Sequence, residues 1–399
     1  MHRTRESGAD ALLTEHRPWL RTTTLCVALA RGSRDDRPGR AGAAHLFEHL
    51  VMSARGSGTA LTDLVEERGG TANATSGNEL TLYCARVDNE DAPRVASALW
   101  RAVENPLITE ADLAREKGVV AQEIATARAD AADVVQDAFL ADLFGPHPLG
   151  LPVAGDLADV ERFSLADAES VRAEGLPRHR VIVVGGAEPD RVRDALPAHA
   201  LVSAGTARTP GPPAPRAAAD PDGTRWPRDE DFAWVAVGGR AVPAHHPDRA
   251  AYTVLGTLLG SSPASSLYRE LRDEAGLAYA FQAWSSHYSD AGAWRVLMGV
   301  ETANAPKAVG IVEGLLRRIA RTGPTAAEHA TAVRQAVGQC LRDAEDPWQL
   351  AVDIALHGDV GDHPWSPEAE RDALRRVAVD GVRAAAAHVA DSLTVAVRA

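Results

Sequence analysis

Gly42-Ala43-Ala44-His45-Leu46-Phe47-Glu48-His49-Leu50 is the stretch on which the reading of this chain turns. The imidazoles of His45 and His49 stand at i and i+4, with the carboxylate of Glu48 at i+3. In a helix all three project from one side. That is the side-chain set of a catalytic zinc site. Two neutral histidines ligate the metal, and a nearby carboxylate takes a proton from the water that the metal activates. The order His-x-x-Glu-His inverts the His-Glu-x-x-His signature of zinc proteases. On these residues alone, a solvated helix face that happens to carry two His and a Glu is the competing reading.

A catalytic zinc has three protein ligands and one open position, so a third donor is needed. The segment Thr109 to Ile124 reads as a helix, with Thr109 as N-cap and acids in the first turn. Glu116 and Glu123 lie on one face of it, two turns apart. One can ligate the metal while the other orients a ligand or the water. Taken by itself the segment is also a charged, solvent-facing helix. Beside His45 and His49 the metal reading prevails.

With these motifs in place, the chain resembles the pitrilysin and mitochondrial-processing-peptidase family, the inverzincins, over about residues 20–399. The resembling segments are Gly42–Leu50, Glu66–Thr75, the pair Glu116 and Glu123, His147-Pro148-Leu149-Gly150, and Ser266–Tyr279. The resemblance implies an α+β fold of two homologous domains. Each would be a mostly antiparallel sheet packed with helices, and together they would form half of a clamshell chamber. It also implies one zinc ion per chain, held by His45, His49 and Glu123. Glu48 would be the general base and Glu116 a supporting carboxylate. Arg272 and Tyr279 would hold the substrate backbone and the developing oxyanion, and Asn73 would contact the peptide backbone. Outside the motif, Arg272 reads as a surface charge, Tyr279 as a packed strand aromatic and Asn73 as a turn residue. Thr71–Thr75 reads as an edge strand, to which an extended peptide could add by β-augmentation. One departure from the family pattern is the loop Gly260–Ser266, which carries Pro263 and is poor in glycine.

The chain divides near its middle. Residues 204–230 are rich in Pro, Ala and charge and read as an exposed linker. It separates a catalytic domain, 1–203, from a metal-free, substrate-binding domain, 231–399. Both halves show the same order of strands and helices, an internal duplication of about 200 residues. Thr109 to Ile124 overlays Thr325 to Cys340 without a gap, placing Glu116 on Ala332 and Glu123 on Gln339. His45, Glu48 and His49 fall on Val254, Thr257 and Leu258. The second half therefore repeats the fold without any metal-binding position.

Composition bounds the rest. The 399 residues suffice for two cores, and 45% hydrophobic with 24% charged residues suits a globular protein. A net charge of −13 argues against a nucleic-acid footprint. No apolar run is long enough for a membrane span. Met1–Ser7 carries no apolar signal-peptide core, so a cytoplasmic enzyme is expected. Cys26, Cys84 and Cys340 form no metal-type cluster, and Cys84 reads as a buried free thiol. The expected function is zinc-dependent hydrolysis of peptides or small precursor polypeptides. The expected partner is a second copy of the chain or a related metal-free subunit. A catalytically silent peptide-binding or structural subunit is the alternative.

Overall fold

The computed structural model describes residues 11–54, 59–204, 208, 231–260, 262–357 and 365–399. Most of the 204–230 linker lies outside the described residues. In chain order the first half holds β1 (Leu12–His16), β2 (Thr22–Leu29), α1 (Ala43–Ser53), α2 (Leu61–Glu66), β3 (Thr71–Ser76) and β4 (Thr81–Asp88). It continues with α3 (Ala92–Glu104), α4 (Glu110–Ala129), α5 (Ala131–Phe144), α6 (Leu157–Arg162), α7 (Leu165–Gly175), β5 (His179–Gly185) and α8 (Pro189–Ala195). The second half holds β6 (Phe232–Ala241), α9 (Arg249–Gly260), β7 (Ala278–His287), β8 (Gly292–Glu301) and α10 (Ala305–Thr322). It ends with α11 (Ala326–Glu345), α12 (Pro347–His357), α13 (Pro367–Arg376), α14 (Val379–Asp391) and β9 (Thr394–Arg398).

The two sheets share one topology. The first runs β1-β5-β2-β4-β3 and the second β7-β8-β6-β9. Read from the other side, the second repeats the order β5-β2-β4-β3 of the first, with β6 in the place of β2. Pairing is antiparallel except for β1, which lies parallel on β5. The repeat extends to helix starts. Thr109 and Asp112 form a reciprocal cap, the Asp112 amide donating to the Thr109 hydroxyl and the Thr109 amide to the Asp112 carboxylate. Thr325 and Glu328 do the same at the start of α11.

The division into compact units differs from a single cut at the linker. One unit comprises Met1–Ala125, Pro152–Arg208 and Asp343–Trp365, and the other Thr126–Leu151, Thr209–Arg342 and Ser366–Ala399. The reason is that both sheets are apolar on both faces. In the first unit Leu25, Val27 and Leu29 of β2 pack with α1 and α3. The alternate residues Cys26 and Ala28 pack with Leu350, Ala351 and Ile354 of α12, from the far half of the chain. In the second unit Val135, Phe139 and Leu143 of α5 cover Ala236, Ala293 and Ala396. Each sheet thus borrows a helix from the opposite half of the sequence. Cys26 and Cys84 are direct cross-strand partners, both buried and both free, with their sulfurs 2.8 Å apart.

Candidate metal centre

The metal helix is fixed first by its apolar side. Leu46, Phe47, Leu50 and Val51 are each at most 1% exposed. Full burial of such side chains contributes roughly 1.5–3 kcal/mol apiece. That leaves His45, Glu48 and His49 half-buried on the remaining face of α1. Its neighbour α4 is anchored by Leu113, Val120 and Ile124, all buried in the same core. Glu116 and Glu123 are thereby brought against the two histidines.

The geometry is close. His45 Nε2 and His49 Nε2 lie 3.2 Å apart. Glu123 Oε2 is 3.4 Å from His45 Nε2 and 3.2 Å from His49 Nε2. One donor atom from each of the three residues fits within 4.8 Å of the others. Two imidazole nitrogens and one carboxylate oxygen are a donor set suited to zinc, with room for a fourth position. Glu123 is half-exposed, so the donor cluster opens to solvent. Glu116 is buried, its Oε2 3.5 Å from His49 Nδ1, while Arg115 Nε donates to its other oxygen at 3.0 Å. A carboxylate behind a ligating histidine orients the ring and raises its basicity.

The electrostatics favour a neutral His45. Burial, helped by His49, lowers the pKa of His45, with Glu123 opposing. The free-base form that binds metal is therefore favoured. Burial raises the Glu48 carboxyl, against the pull of His49 and the hydrogen bonds of Ser76. Such a group is better placed to receive a proton than an ordinary exposed carboxylate.

The other expected residues lie on other elements of the chain. Asn73 is exposed on β3, the edge strand, directly opposite Cys84. Ala72 and Ala74 pack on the α1 side of the sheet, so strand alternation puts the Asn73 side chain on the other face. Arg272 belongs to the second unit. It lies in a segment, Tyr268–Glu274, that winds as a π-helix, and its guanidinium stacks 4.6 Å over the Tyr268 ring. Tyr279 lies in β7, and its side chain is outside the described residues. His147 caps the turn that follows it, its Nδ1 accepting from the Leu149 amide. The sequence reading missed Arg115, and it missed Asp36. The Asp36 carboxylate accepts hydrogen bonds from the amides of Gly42, Ala43 and Ala44 at the start of α1. Neither has a local signal, since both matter only through contacts made by folding.

Comparison with known proteins places the chain in a family. Residues 11–157 match the family model described as insulinase, peptidase family M16, and residues 177–336 match that of the peptidase M16 inactive domain. A protein of Mycobacterium leprae named as an uncharacterized zinc protease is 30% identical over 351 residues, which span 86% of this chain and 79% of that protein. This chain belongs to the M16 peptidase family. The beta subunit of the mitochondrial-processing peptidase of Bos taurus is 27% identical over 309 residues, 74% of this chain and 63% of that protein. A protease from Helicobacter pylori shares the fold, with a TM-score of 0.84 at 18% identity over 99% of both chains. The M16 chain thus carries its donor cluster in the half matched by the insulinase model. The inactive-domain model falls on the repeat whose equivalent positions are Val254, Thr257 and Leu258. Val254 and Leu258 are buried in the core of the second unit. Among the described residues no helix is long and apolar enough to cross a membrane.

Proposed function

We propose that this M16 chain is a zinc-dependent endopeptidase that hydrolyses peptides or small precursor polypeptides. The observation that carries the reading is the convergence of His45, His49 and Glu123 from two helices far apart in sequence. Those residues would hold the ion, which when bound supplies Lewis acidity and lowers the pKa of a water. Glu48 takes a proton from the attacking water and returns it to the leaving amine. Glu116 holds the His49 ring, and Arg115 holds Glu116. Arg272 and Tyr279 we assign to the substrate backbone and the developing oxyanion. β3 ends its sheet, and its open side offers main-chain donors and acceptors to an extended peptide.

The complete donor set speaks against a catalytically silent subunit. Metal analysis after dialysis tests the core of the reading. One zinc per wild-type chain is expected, with loss on His45→Ala, His49→Ala or Glu123→Ala. Retention of stoichiometric zinc by all three variants would refute it. We also propose that the working enzyme is a dimer, either of this chain or with a related metal-free subunit. For a homodimer that shares its sites, Glu48→Gln chains mixed with Arg272→Ala chains should regain activity. No recovery in a verified mixed dimer would place each site within one chain.

A further inference from the structure

The start of the metal helix is held in an unusual way. Gly42, the residue before α1, has φ +91 and offers no side chain to cap the helix. Nor is there room for one, because a Cβ there would lie 2.8 Å from the Ala154 carbonyl oxygen. Capping comes instead from Asp36, six residues upstream. Its Oδ2 accepts from the amides of Gly42 at 2.9 Å and Ala43 at 3.0 Å, and its Oδ1 from that of Ala44 at 3.1 Å. The next residue is His45. Arg31 Nη1 donates to Asp36 Oδ1 at 2.6 Å, and both side chains are at most 5% exposed. Arg31 lies two residues beyond the end of β2, and its own carbonyl accepts from the Thr81 hydroxyl at the start of β4. The first turn of α1 is therefore tied through two buried side chains to the centre of the sheet.

A buried ion pair of this kind adds little net stability over well-packed apolar residues. What it does supply is direction. Metal–ligand distances tolerate only about 0.2 Å of error. His45 sits on the turn that Asp36 holds, while Glu123 arrives on a separate helix. We propose that Asp36, seated by Arg31, is a positioning residue that sets the height and rotation of α1 so that His45 and His49 meet Glu123 at metal-binding geometry. The proposal rests on the zinc reading above and goes beyond it.

The test is zinc affinity, measured on the full purified chain at 25 °C by competition with a chromogenic chelator. Wild type is compared with Asp36→Asn, which removes the charge and one strong acceptor. The control is Asp130→Ala, which removes the cap of α5, where Asp130 accepts from the Ala132 amide. Apo melting temperatures are recorded for all. Asp36→Asn should weaken zinc binding about 10-fold or more while remaining folded, the loss usual for partners that orient metal ligands. Asp130→Ala should change it by less than about twofold. Arg31→Lys, which keeps the charge and loses the guanidinium fork, should weaken binding in the same direction and serves if Asp36→Asn does not fold. Lowered melting temperatures with zinc affinity equal to wild type would make the pair a folding element only and overturn the proposal. A wild-type chain that takes up no zinc would overturn the metal reading itself, and this proposal with it.

Discussion

Gly155→Ala should be among the most damaging single-methyl changes in the molecule. Gly155 crosses directly over the start of α1. A Cβ built there would lie 2.3 Å from Gly42 Cα and 2.5 Å from both Ala41 O and Gly42 N. All three are backbone atoms, so no side chain can swing aside. Its φ of +89 is left-handed as well, which costs an L-residue about 1–2 kcal/mol. Forcing the methyl into a packed crossing adds roughly 1–3 kcal/mol. The reduced entropy of the unfolded chain gives back about 0.4–1 kcal/mol. The net expectation is a loss of about 1–4.5 kcal/mol, centred near 3 kcal/mol. Two other glycines separate the contributions. Gly69 has φ +67 with nothing within 4 Å, so its alanine variant bears only the conformational cost. Gly118 lies exposed inside α4 with nothing within 4 Å and no positive φ, so alanine there should stabilise by about 0.5–1 kcal/mol. Urea unfolding of the metal-free protein, followed by tryptophan fluorescence, reads all three. If Gly155→Ala costs less than about 1 kcal/mol, or no more than Gly69→Ala, the loop does not press on the metal helix as described.

Two further outcomes follow from the surroundings of the site. Glu116→Gln should keep zinc but bind it about 10- to 100-fold more weakly, because the carboxylate behind His49 is lost; unchanged affinity by chelator competition would remove Glu116 from the account. The hydroxyl and amide of Thr109, with Arg115, hold the Asp112 carboxyl below its ordinary value of 3.8. A carboxyl whose folded value is lowered stabilises the fold above the unfolded value, and that contribution is lost as pH falls through the folded value. Asp112→Asn should therefore be less stable than wild type above about pH 4 and converge with it in stronger acid. A gap in melting temperature that does not shrink in acid would contradict this.

Much of the site was legible in the sequence because its spacing is local. His45, Glu48 and His49 announce a shared helix face within five residues, and Glu116 and Glu123 do so within eight. The duplication was legible too, since the Thr109 and Thr325 caps and the strand order recur. What stayed hidden is what only folding brings together. The apolar residues of α5 and α12 fit either sheet equally well, and nothing in Phe139 or Ile354 tells which one they cover. Asp36 gives no cap signal, because it reaches its helix across a turn rather than from the adjacent position. Arg115 is one of several charges on a long helix until Glu116 is seen buried beside it. Which face of the sheet Asn73 takes is set by the register of β3 on β4, which the sequence does not state. The π-winding around Arg272 has no pattern in the sequence that we can name.

Cleavage of peptides is the most direct test of the central claim. Purified wild-type protein and its Glu48→Gln variant, each with zinc content verified, would be incubated with a mixed library of short peptides and the products read by mass spectrometry. The account predicts internal cuts by the wild type and none by Glu48→Gln at equal zinc occupancy. Equal cleavage by both proteins would contradict the role of Glu48 and with it the mechanism.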